Sequence, residues 1–75
     1  MMEPLFEATI SYEGKPVAYA VHFEAETYIF EPRQPGAPVV KLKRENDEWH
    51  EITAANDSLK TTAITELERY LLAQH

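Results

Sequence analysis

The chain has 75 residues, no cysteine, and 13 acidic against 7 basic residues, giving a formal charge of −6 at pH 7. That length makes one small domain, residues 1–75, with a modest core. It excludes disulfides, thiolate metal sites and cysteine nucleophiles, and its charge opposes both the nucleic-acid backbone and an anionic membrane surface. No segment approaches the roughly 20 apolar residues of a membrane-spanning helix. The N-terminal MMEPLFEATI lacks a basic region followed by an apolar run, so the expected location is the cytoplasm.

The first predicted element, LFEATISYE at residues 5–13, alternates as a strand. Phe6, Ala8, Ile10 and Tyr12 share one face; Glu7, Thr9 and Ser11 share the other. Glu13-Gly14 supplies a tight turn. In PVAYAVHFE, residues 16–24, Val17, Tyr19, Val21 and Phe23 lie on one face, and Ala18, Ala20, His22 and Glu24 on the other. Pairing Tyr12 with Lys15 sets Ile10 against Val17, Ala8 against Tyr19 and Phe6 against Val21, so apolar meets apolar. ETYIFE, residues 26–31, makes a third strand that pairs Phe23 with Tyr28 and sets Ile29 beside His22.

PRQPGAP, residues 32–38, reads as a loop. VVKLKRE, residues 39–45, alternates again, with Val40 and Leu42 inward and Lys41 and Lys43 outward. NDE is turn material, and WHEIT, residues 49–53, is a short last strand with two alternative registers. A three-residue connection turns Ile52 inward and Trp49 outward; a four-residue connection reverses them. In NDSLKTTAITELERYLLAQH the period changes. Leu59, Ala63, Ile64, Leu67, Tyr70 and Leu71 form a helical stripe, with Asp57 or Ser58 as the expected N-cap. The predicted fold class is therefore α+β: a five-stranded antiparallel β-meander with one C-terminal α-helix packed on one face. The expected core comprises Phe6, Ile10, Val17, Tyr19, Val21, Phe23, Tyr28, Phe30, Val40, Leu42, Ile64, Leu67 and Leu71.

No catalytic or cofactor-binding motif is present, and a domain of this size filled by its own helix leaves little room for a substrate. The expectation is a protein that is not an enzyme and holds no cofactor or metal. His22 and Glu24, two apart on a strand, could supply two zinc ligands, but a third has to come from His50 or Glu51 in one register only. His75 stands at the end of the sequence.

Two functional readings remain. Ala18 and Ala20 sit where an exposed strand face usually carries larger polar residues. Thr9, Ser11, His22, Ile29 and, in one register, Trp49 extend the patch, which has no charge at its centre. Small side chains let another surface approach closely, so the patch reads as a protein-interaction surface. A homodimer about a two-fold axis is the simplest occupant, and another protein is the other. The alternative is a small anionic ligand held by Arg33, Lys41 and Lys43 through charge-assisted hydrogen bonds. Against it, lysines on an exposed strand also serve as a defence against aggregation.

Overall fold

The computed structural model describes residues 3–54 and 56–73. Five strands, β1 (Phe6–Tyr12), β2 (Lys15–Glu24), β3 (Thr27–Pro32), β4 (Val40–Glu45) and β5 (Glu48–Thr53), are followed by helix α1 (Asp57–Ala73). The strands form one antiparallel sheet in the order β1-β2-β3-β4-β5. The helix crosses one face and contacts β1 and β4. No helix among the described residues is long and apolar enough to cross a membrane. His75 lies outside the described residues.

The meander is set by three tight turns of one kind. Glu13-Gly14, Ala25-Glu26 and Asn46-Asp47 each hold positive φ at both positions, with values between 51° and 78°. This is the backbone of a two-residue hairpin turn, whose twist matches that of the strands it joins. Gly14 adopts it without steric cost, whereas Ala25 and Glu26 do so against their own preference. The turns fix the expected registers: Ile10 opposes Val17, Phe6 opposes Val21 and Phe23 opposes Tyr28.

The last hairpin closes more tightly than either expected connection. Glu45 pairs with Glu48 across Asn46-Asp47, which sets Trp49 opposite Arg44 and Glu51 opposite Leu42. This is the register of the four-residue alternative with one further pair added, so Trp49 lies on the helix face. It packs on the core beside Tyr28, with the Arg44 guanidinium 5.1 Å from its ring centroid. A bulge between Lys41 and Leu42 shifts the pairing, Lys41 facing Thr53, and Ile52 is left exposed. Bulges of this kind also blunt a free sheet edge.

The core is a seam between sheet and helix. Ile10, Tyr19, Val21, Phe30, Val40, Leu42, Ala63 and Leu67 are fully buried, with Val17 and Leu59 nearly so. Leu59, Ala63 and Leu67 recur every four residues, which keeps them on one helix face. Phe6 stacks on Tyr70 at 4.3 Å and meets Phe30 edge-on, tying the helix to β1 and β3. Phe23 departs from the expected core. It is 48% exposed, and Tyr28 is the aromatic ring that packs against it. The helix cap also differs by one residue. Asn56 Oδ1 accepts from Leu59 N–H at 2.7 Å, which makes Asn56 the N-cap and puts Asp57 in the first turn, where a carboxylate suits the helix dipole.

Tyr19 ties the 33–39 loop to β2: its hydroxyl donates to the Pro38 carbonyl at 3.0 Å. Burial pushes this phenol above its ordinary range, and Tyr12 adds to the effect. The folded state therefore keeps Tyr19 neutral at a pH where the unfolded chain has ionised it. The stabilisation is fully present below about pH 10 and is lost as pH rises towards the folded-state value. Chemical denaturation should show stability falling above about pH 10, and Tyr19→Phe should flatten that fall. The same variant should lose about 1 kcal/mol at neutral pH, where the Pro38 carbonyl loses its donor. An unchanged alkaline profile would remove Tyr19 as its source.

Candidate functional site

The face of the sheet opposite the helix carries no second helix or strand layer among the described residues, and Glu3 and Pro4 border it beside Ala20 and His22. Period-two alternation assigns its residues: Glu7, Thr9 and Ser11 from β1; Ala18, Ala20, His22 and Glu24 from β2; Thr27, Ile29 and Glu31 from β3; Lys41 and Lys43 from β4. Val39, just before β4, is exposed and lines one hollow with Ile29, Lys41 and Thr53.

Six of the seven expected interface residues, Thr9, Ser11, Ala18, Ala20, His22 and Ile29, fall on this face. They are close in the ladder: Thr9 opposes Ala18, and His22 opposes Ile29. Trp49 does not join them, because its register turns it to the core.

The centre of the patch is not free of charge. Arg33 Nε lies 2.6 Å from Glu7 Oε1. Arg33 extends the β3 pairing by one residue, its N–H donating to the Ala18 carbonyl at 2.9 Å, whereas Glu7 stands opposite Ala20 on β1. Strand β2 lies between the two, so the ion pair has to cross β2, and it does so where the side chains are Ala18 and Ala20. Larger residues there would obstruct it. The pair is half exposed and adds under ~1 kcal/mol. Ala20 beneath it is only 6% exposed, and Glu3, Pro4 and Arg33 line the hollow around it.

The three cations of the ligand reading are not brought together. Arg33 lines a hollow with Ala20, His22 and Glu31; Lys41 lines the one beside Val39; Lys43 lines a third with Phe23, Tyr28 and Glu45. Arg33 is paired with Glu7, and Lys43 lies 3.5 Å from Glu45. His22 on β2 and His50 on β5 are separated by three strand spacings, about 14 Å. Glu51 is turned to the helix face, where it meets Lys60. No group of three or more His, Asp or Glu able to hold a metal ion forms among the described residues. On the helix side, one further hollow is lined by Arg44, Glu68, Leu71 and Leu72.

Sequence reasoning placed Glu31 on this face with Thr27 and Ile29, and missed Val39 and the Arg33–Glu7 crossing. The outward direction of Val39 follows from Val40 pointing inward. The crossing carries no periodic signal, since it joins two strands with a third between them. No family model, curated protein or solved structure matches this chain.

Proposed function

We propose that the chain is a non-enzymatic protein-interaction module that self-associates through the helix-free face of its sheet. The carrying observation is the makeup of that face. An antiparallel sheet can keep one face in water, and then alternates apolar with polar residues. Here Ile29 occupies the middle strand, Val39 is exposed beside it, and Ala18 and Ala20 leave the surface low. A specific interface of about 1,000 Å² needs about 500 Å² from each copy. That is near one tenth of the 5151 Å² surface of the chain. The hollows on this face are shallow and open: one holds Glu3, His22, Glu31 and Arg33 along its rim, the other Glu31 and Lys41, and neither encloses a substrate-sized cleft, which favours contact over catalysis.

Ile29→Glu is the appropriate probe. Its direct neighbours are His22 and Lys41, so the isolated domain tolerates a carboxylate there. Ala20→Glu is less clean, because Glu7 and Glu31 stand directly opposite and like charges in a cross-strand pair destabilise the sheet itself. In sedimentation the wild type is expected as a dimer and Ile29→Glu as a monomer with an unchanged circular dichroism spectrum. A wild type that stays monomeric at high micromolar concentration overturns the reading. A thermal-shift screen with phosphorylated and carboxylated compounds then tests the ligand alternative, since a ligand that binds only the folded state raises its stability.

A further inference from the structure

We infer that the two copies meet about a two-fold axis running along β3, so that β2 of each copy lies over β4 of the other. The inference rests on the helix-free face being the self-interface and adds its geometry. Three cross-strand rows carry it, each centred on β3. The first runs Glu24, Thr27, Lys43; the second His22, Ile29, Lys41. The third runs Ala20, Glu31, Val39, with Val39 next in register beyond the Phe30–Val40 pair.

A two-fold axis along the middle strand exchanges the ends of every row. It sets Lys43 over the partner's Glu24, a cation on a carboxylate. It seats the exposed Val39 in the low ground over the partner's Ala20, and Ile29 on its own copy at the axis. Stacked sheets lie about 10 Å apart and cross at about 30°, a displacement that a lysine side chain spans. The other face-to-face two-fold, perpendicular to the strands and centred on the same Ile29 row, lays each strand on its own copy; it sets Lys41 on Lys41 and Lys43 over the partner's Val39, so neither lysine meets a carboxylate. The charge pattern selects the first axis. One residue opposes it: Glu31 meets its own copy near the axis, so Glu31→Gln should tighten the dimer.

The test uses Glu24→Lys and Lys43→Glu in the full chain at low salt. Each contact occurs twice in a two-fold dimer, and each variant alone replaces attraction by repulsion at both. Each should therefore weaken dimerisation by about tenfold. Mixed together, the two variants should form a heterodimer of wild-type affinity. One of its two contacts is then the native Lys43–Glu24 pair, and the other is the same pair with its charges exchanged. If the wild type dimerises and Ile29→Glu disrupts it, but mixing rescues nothing, the axis is wrong while the interface reading stands. A monomeric wild type overturns both.

Discussion

Leu67→Ala is expected to lower unfolding free energy by about 2–5 kcal/mol, the usual cost of deleting a fully buried leucine side chain. Leu67 is 0% exposed and completes the stripe begun by Leu59 and Ala63. A domain of this length has a total stability of about 4–11 kcal/mol, and no disulfide supplements it. The loss is therefore a large share of what holds the fold. The denaturation midpoint should fall sharply, with slope and native spectrum retained if the variant still folds. Leu72, on the same helix but 73% exposed, is the control; Leu72→Ala should stay within about 0.5 kcal/mol of the parent. Equal, small effects at both positions would mean that the helix does not dock through this stripe.

The first three strands were legible in the sequence because each level of the pattern agreed. The Glu13-Gly14 turn, the alternation of β1 and β2 and the pairing of aromatic with aliphatic residues all specify one register, and the structure adopts it. The last strand was ambiguous for an identifiable reason. Trp49 and Ile52 are three apart, so no period-two face contains both. Any regular register exposes one of them; the structure packs a partly buried Trp49 against the core and places the irregularity next to Ile52. The helix cap was displaced by one residue because Asn56, Asp57 and Ser58 are all competent acceptors and only backbone direction chooses among them. Phe23 follows the alternation of the core face yet stays half exposed, because alternation reports direction and not cover.

The candidate site was less legible than the fold. The face was correct for six residues, yet its apparent neutral centre came from taking one strand at a time. Glu7 and Arg33 are 26 positions apart in sequence and meet only because the β2 side chains between them are short. The alanines thus have a role within a single copy, as the floor beneath an ion pair. That role is compatible with the proposed contact, since it leaves Ile29 and Val39 as the apolar residues a partner would cover.

The second large effect is expected at Phe30, and its neighbour Ile29 gives the contrast. Phe30 is 0% exposed and meets Phe6 and Tyr19 edge-on, so Phe30→Ala should cost about 3–5 kcal/mol at every protein concentration. Ile29, one residue earlier, points to the opposite face. Ile29→Ala gives up only a β-branched side chain on an open surface, worth under about 1 kcal/mol in the monomer. The proposed dimerisation would raise stability with concentration, because only folded chains would associate. Wild-type melting temperature should therefore climb with protein concentration; Phe30→Ala should sit lower throughout, and Ile29→Ala should lose the climb while matching the wild type at high dilution. If Ile29→Ala instead proves as damaging as Phe30→Ala in dilute solution, Ile29 belongs to the fold and not to an interface. Adjacent positions on β3 thereby separate what keeps the domain folded from what the exposed face is for.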